Sequence, residues 1–189
     1  MLKGKTVVLG VTGCIAAYKA CEIVSSLKKK GATVIVIMTP HSTEFVQPLS
    51  FETLSGNRVI TDLFDRDFDF EVEHVALAKR ADVFVVAPAT ANTIGKIANG
   101  IADDMLTTTI MACKAPKIIC PAMNTNMYEN ENTTENIARL KKQGYKIIEP
   151  ISGRLACGDV GKGKMAEPET IVKAIEDILT PNQDFEGVR

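Results

Sequence analysis

A doubly wound parallel α/β sheet is the fold that this sequence predicts, and three observations predict it. Five short apolar runs rich in β-branched residues, at 5–10, 33–38, 83–88, 116–120 and 145–148, read as strands, the inner ones buried on both faces. Stretches with helical periodicity separate them, so consecutive strands pair in parallel through right-handed crossovers. Three strands end in turns built from Gly, Thr and Asn, at 10–14, 88–93 and 121–124, where open sheets of this kind present their ligand-facing edge.

Helices on both faces complete a three-layer αβα arrangement of the Rossmann or flavodoxin-like type. The first strand, 5–10, ends in Val11-Thr12-Gly13-Cys14 and turns into a helix that runs to 30. Such a turn offers backbone N–H groups and the positive end of a helix dipole. Gly10 and Gly13 allow close approach and Thr12 adds a hydroxyl, so a phosphate is its natural guest. The full G-x-G-x-x-G fingerprint is missing, because position 15 is Ile15. The second strand, 33–38, closes on Thr39-Pro40, with Thr39 beside the first turn. A helical turn at 41–45 and a short amphipathic piece at 50–54 follow, and Phe45 is open to a core or a contact role. Residues 62–73 are acidic with Phe64, Phe68 and Phe70 interleaved, a surface excursion or a subunit contact.

His74 opens a short helix before the third strand, whose turn Pro88-Ala89-Thr90-Ala91-Asn92-Thr93 is the second ligand-facing edge. Helices at 94–99 and 104–111, the fourth strand, a helix at 133–143 ended by Gly144, and the fifth strand come next. Residues 150–165 carry four glycines and little periodicity, and read as a structureless, flexible lid bearing Cys157. The last helix covers 168–179. Residues 1–180 therefore read as one domain, and 181–189 as a linker stub.

Composition excludes several classes. With 22 Lys and Arg against 23 Asp and Glu the chain has no electrostatic footprint for nucleic acid, and Lys28-Lys29-Lys30 is the solvated end of a helix. No apolar run approaches the ~20 residues of a membrane span, and no leader pattern precedes the first strand, so the expected location is cytoplasmic. Five cysteines without a C-x-x-C spacing suggest neither a disulfide framework nor a metal site. Four of them are expected to be buried small hydrophobes, with Cys157 in the lid as the exception. Asn124 follows a strand stopped by Pro121; it is an ordinary helix N-cap or a neutral donor to a bound carboxylate or flat ring. His74, one of two histidines, is a polar surface residue or an acid–base group.

Five motifs stand in order: Gly10-Val-Thr-Gly-Cys-Ile-Ala-Ala-Tyr-Lys19, His74 ahead of Ala81-Asp82, Pro88-Ala-Thr-Ala-Asn-Thr93, Pro121-Ala-Met-Asn-Thr-Asn-Met-Tyr128 and Ala156-Cys-Gly-Asp159. Together, over residues 4–180, they resemble the flavin-dependent cysteine decarboxylases, and within that family its members that act on phosphopantothenoylcysteine in coenzyme A biosynthesis. Peptidyl-cysteine decarboxylases look similar around the histidine and Pro-x-Met-Asn but lack Ala-Cys-Gly-Asp, and flavin prenyltransferases share only the fold.

The resemblance implies FMN as cofactor, with its phosphate at Thr12, Gly13 and Cys14, further contacts from Thr39, Thr90, Ala91, Asn92 and Thr93, and Ala122 beside the ring. Cys14 stands where many relatives carry Gly or Ser, which leaves the phosphate to backbone N–H groups. The resemblance also implies a substrate site of Phe45, Asn124, Met127, Arg154, Leu155 and Ala156. In it Asn124 holds the carboxylate, His74 is base or orienting group, and Cys157 is the proton donor. It implies a homotrimer, or a dodecamer built of trimers, and, in many bacterial relatives, a fused phosphopantothenoylcysteine synthetase domain beyond the tail. The alternatives are a peptidyl-cysteine decarboxylase or flavin prenyltransferase of the same fold, or a non-catalytic FMN-binding protein.

Overall fold

The computed structural model describes residues 1–64 and 73–180. Five parallel strands, β1 (Thr6–Val11), β2 (Thr33–Met38), β3 (Val83–Ala89), β4 (Lys117–Pro121) and β5 (Lys146–Ile147), lie in the order β2-β1-β3-β4-β5. The chain thus winds outward in both directions from β1 and β3, and the crevice at their carboxyl ends is where such sheets take a ligand. The expected doubly wound sheet is present.

The pleat sorts the strand residues into two cores. Val7, Leu9, Val34, Val36, Val85 and Ile118 face one layer, with Ile23 and Leu27 of α1 (Ala17–Lys29), Phe51 of α2 (Pro48–Ser55) and Ile171 and Ile175 of α8 (Pro168–Leu179). Val8, Ile35, Phe84, Val86 and Ile119 face the other. There they meet Leu77 of α3 (Glu73–Arg80), Ile94 of α4 (Ala91–Ala98), Leu106 and Ile110 of α5 (Met105–Ala112) and Leu140 of α7 (Glu131–Lys142). Burial on both sides explains why these strands read as unbroken apolar runs, and each truncation such as Leu9→Ala should cost about 2–5 kcal/mol.

Gly10 departs from expectation. A Cβ there would stand 2.6 Å from Leu106 Cδ1 and 3.5 Å from Phe84, so what the missing side chain makes room for is α5 against the sheet. The segment 150–165 departs further. It is an antiparallel hairpin of β6 (Ile151–Arg154) and β7 (Val160–Lys164), a two-stranded sheet of its own, and not structureless. Its strand signal is masked by glycine: Gly161 and Gly163 leave β7 bare where it lies on the 123–125 backbone, so docking and not side-chain alternation holds the strand. A Cβ on Gly163 would overlap the Met123 carbonyl oxygen, and one on Gly161 would stand 2.5 Å from Thr125 Oγ1.

Between β4 and α7 the chain forms a short helix, α6 (Thr125–Glu129), and α7, capped by Asn130, begins at Glu131, two residues earlier than the predicted start. Residues 65–72 of the acidic excursion and the tail 181–189 lie outside the described residues. Among the described residues no helix is long and apolar enough to cross a membrane.

Candidate active site

A line of hydrogen bonds runs along the carboxyl edge of the sheet. Thr39 N donates to Val11 O at 3.1 Å, joining β2 to β1. The Thr12 hydroxyl donates to Pro88 O at 2.6 Å and accepts from Thr90 N at 3.0 Å, joining β1 to β3. Ala122 N donates to Ala89 O at 3.0 Å, and Met123 N to Gly163 O at 3.0 Å, carrying the line through β4 to the hairpin. Thr12 is buried, so its hydroxyl serves the scaffold: it fixes the first turn, while any phosphate there would be met by backbone N–H groups.

That turn is built to leave room. Helix α1 begins at Ala16 without a side-chain cap, which leaves the positive end of its dipole open to an anion. Gly13 is pressed against the turn that follows β2, and a Cβ there would stand 2.7 Å from His41 Cβ. The half-buried Cys14 beside it has its thiol pushed up by burial, so it is a neutral neighbour. At the next strand end Thr90 caps α4, accepting from Thr93 N at 3.3 Å, and its hydroxyl donates to Thr93 Oγ1 at 3.2 Å. Ala91 is half-buried and Asn92 exposed on the same edge.

Beside this edge, between the start of α1, the 121–124 turn and the hairpin, lies a cavity of about 530 Å³. Of the predicted site residues, Cys14, Ala122, Asn124, Arg154, Leu155, Ala156 and Cys157 line it. Asn124 is the helix N-cap that its sequence position allowed. Its Oδ1 accepts from Asn126 N at 2.8 Å as the N-cap of α6, which leaves Nδ2 directed at the hairpin tip, 3.6 Å from Cys157 Sγ and 3.3 Å from Asp159 Oδ2. The tip is a tight turn in which Leu155 N donates to Asp159 O at 2.8 Å and Gly158 takes a φ of +92°, a conformation suited to glycine. Within it the Cys157 thiol donates to Asp159 Oδ2 at 3.4 Å. Residues 33 apart in sequence thus meet as an amide, a thiol and a carboxylate.

Two participants were not singled out from sequence. Asp159 was legible only as the last letter of Ala-Cys-Gly-Asp. Lys19 lines the cavity and pairs with Glu167 at 3.0 Å, and this ammonium, with Lys164 at 3.3 Å, holds the Glu167 carboxyl below its usual range. Nothing in local spacing ties a first-helix lysine to a residue 148 positions away.

Other predicted residues stand apart from this cavity. Thr12, Gly13, Thr39 and Thr90 to Thr93 lie along the sheet edge outside its lining. His74 is half-buried in the first turn of α3, in the layer opposite α1. Phe45 and Met127 are each about half exposed, so Phe45 is not a core residue. Among the described residues no cluster of His, Cys, Asp or Glu could hold a metal ion.

The family description Flavoprotein matches residues 1–180. This chain belongs to that family. The flavoprotein is 52% identical over 176 residues to the coenzyme A biosynthesis bifunctional protein CoaBC of Bacillus subtilis, a match covering 93% of this chain and 43% of that protein. It is 47% identical over 177 residues to a probable phosphopantothenoylcysteine decarboxylase of Streptococcus mutans, covering 93% of this chain and 99% of that one. The chain thus spans less than half of the bifunctional relative and nearly all of the shorter one. Among solved structures it is similar to a cysteine-to-serine mutant of PPC decarboxylase complexed with pantothenoylaminoethenethiol, at a TM-score of 0.80 and 35% identity over 91% of this chain and 96% of that one. It is likewise similar to the FMN-dependent cysteine decarboxylase SpaF, at a TM-score of 0.81 and 30% identity over 94% and 99%.

Proposed function

We propose that this flavoprotein decarboxylates phosphopantothenoylcysteine to phosphopantetheine, with FMN as cofactor, in coenzyme A biosynthesis. The observation that carries the reading is the meeting of Asn124 and Cys157 at 3.6 Å in a cavity that also reaches Cys14 and Ala122. The residues fit FMN: an uncapped helix start and a glycine turn suit a phosphate, and the threonine- and amide-bearing edge at 90–93 continues from it.

A cysteine carboxylate loses carbon dioxide only if the electrons left behind have a sink. Bound FMN supplies the oxidation of the thiol-bearing carbon to a thioaldehyde and the later return of hydride. The protein's own groups do the rest. The Asn124 Nδ2 donor holds the carboxylate in the orientation from which it is lost, giving an enethiol. Cys157 then delivers the proton that accompanies hydride return, and His74 acts as base or orienting group in the first half.

His74, Phe45 and Met127 lie away from the chain's own cavity, which supports a site completed between subunits of a homotrimer, free or gathered into a dodecamer. A fused phosphopantothenoylcysteine synthetase domain, as the bifunctional relative's length allows, is one form of this proposal, and a stand-alone decarboxylase like the shorter relative is the other. The reading places the enzyme in the cytoplasm. FMN-loaded protein given phosphopantothenoylcysteine should release carbon dioxide and phosphopantetheine, both read by mass spectrometry; release of neither sinks the assignment. Light scattering that found an active monomer would remove the shared site.

A further inference from the structure

The hairpin tip sets one carboxylate against the two groups on which the proposed chemistry depends. Asp159 Oδ2 accepts from Asn124 Nδ2 at 3.3 Å and from Cys157 Sγ at 3.4 Å. The other end of the Asn124 amide is committed to capping α6. The two N–H groups of Asn124 Nδ2 therefore already have acceptors, Cys157 Sγ at 3.6 Å and Asp159 Oδ2 at 3.3 Å, and the second is the same chemical group that the substrate would bring. A second carboxylate brought to the same amide is opposed by the first, because like charges repel each other and both compete for the same donors. Asp159 is exposed and follows Gly158, so its side chain can turn out to solvent without breaking the backbone bonds of the tip.

We propose that Asp159 is a placeholder for the substrate carboxylate. In the free enzyme it satisfies the Asn124 amide and the Cys157 thiol; an incoming carboxylated ligand displaces it from both and frees the thiol to face the substrate. Loss of carbon dioxide removes the group that held Asp159 off, so the side chain returns to Asn124 and favours departure of the decarboxylated product. Asp159 is thus a specificity-determining residue that sets the balance between substrate and product. This rests on the reading that Asn124 binds the substrate carboxylate.

The test is isothermal titration of the FMN-loaded enzyme with two unreactive probes. One is phosphopantothenoylserine, which keeps the carboxylate and carries a hydroxyl for the thiol; the other is phosphopantothenoylethanolamine, which lacks the carboxylate. Asp159→Ala, which removes the competing acceptor, should bind the first probe roughly fivefold more tightly, the scale of one competing hydrogen bond, and Asp159→Asn, which keeps an acceptor without the charge, by a smaller factor; both should bind the second probe with less than a twofold change. Equal effects on the two probes, or no tightening of the first, overturn the placeholder. Asn124→Ala tests the underlying reading separately: it should weaken only the carboxylated probe. If it weakens both alike, or neither, Asn124 does not bind the carboxylate and both readings fall; if it is selective while the Asp159 variants are not, the placeholder alone fails.

Discussion

The carboxyl edge of the sheet and the hairpin that covers it are built on opposite terms. Along the edge nearly every polar group is spent on the fold: Thr12 ties β1 to β3, Thr90 and Thr93 answer each other, and Cys14 is held neutral by burial. At the hairpin tip Cys157 and Asp159 are exposed, and among the described residues their side-chain bonds reach each other and Asn124. The first region supplies a fixed cradle through backbone and small residues. The second carries side chains free to change partners, as groups that hold and move protons must. Substitutions at the edge should therefore cost stability or flavin, and substitutions at the tip should change chemistry or substrate binding while sparing both.

The largest effect sought is Cys157→Ser. Loss of a positioned acid typically costs a factor of roughly a hundred or more. Formation of phosphopantetheine should fall by that much, while FMN stays bound and carbon dioxide is still released, so that mass spectrometry finds a product two hydrogens lighter. Undiminished phosphopantetheine would reduce Cys157 to a lid residue and erase the contrast between the regions.

Gly163→Ala addresses how the two regions are joined. The added methyl overlaps the Met123 carbonyl, so β7 must lift from the 121–124 turn. Trypsin should then cut after Arg154 about tenfold faster, since destabilising the docked hairpin by ~1–3 kcal/mol raises its open population by roughly 5- to 150-fold. Unchanged cleavage would mean that the hairpin is held by something other than this contact.

How much of this was legible in the sequence follows the same division. Strands β1 to β4 were readable because burial on both faces writes a nearly uninterrupted apolar run, whereas β5 is a two-residue edge strand with Lys146 exposed. Asn124 and Cys157 stood out because a polar amide after a buried strand and a thiol among glycines are each locally odd. The hairpin was missed because β7 is ordered by what it lies on, and glycine leaves no side-chain pattern to announce a strand. Gly10 was misread for a related cause: nothing in Leu9-Gly10-Val11 says that Leu106 will need the space. Asp159 and Lys19 became visible only when chain segments far apart in sequence had met.

Gly10→Ala sharpens the contrast from the other side. Crowding Leu106 in a closed core should lower stability by about 1–3 kcal/mol, near 2–4 °C in Tm for each kcal/mol in a chain of this size. Turnover per FMN-loaded molecule should be unchanged in the protein that remains folded. A fall in turnover without a fall in Tm would return Gly10 to the ligand-facing role that its sequence context suggested.

The smallest effect concerns the hub that steadies the hairpin from behind. Lys141 pairs with Glu149 at 2.8 Å, the Tyr128 hydroxyl donates to it, and Lys162 of β7 reaches it at 3.2 Å while lying 5.3 Å from the centre of the Tyr128 ring. Lys141 first, then Tyr128 and Lys162, hold the Glu149 carboxyl down at about 2. A carboxyl depressed in the folded state contributes stability above its unfolded value of ~4.3 and loses it as pH falls from there through about 2. These side chains are about half exposed, so solvent screening keeps the contribution below ~1 kcal/mol. Glu149→Gln should therefore lower Tm by no more than ~3 °C at neutral pH, and the gap from the parent protein should narrow on acidification and with added salt. Because Lys162 is the hub's link to β7, the variant should also quicken tryptic cleavage after Arg154, by about twofold and far less than Gly163→Ala. A gap in Tm that persists at pH 2 would show that Glu149 acts by packing and not by charge.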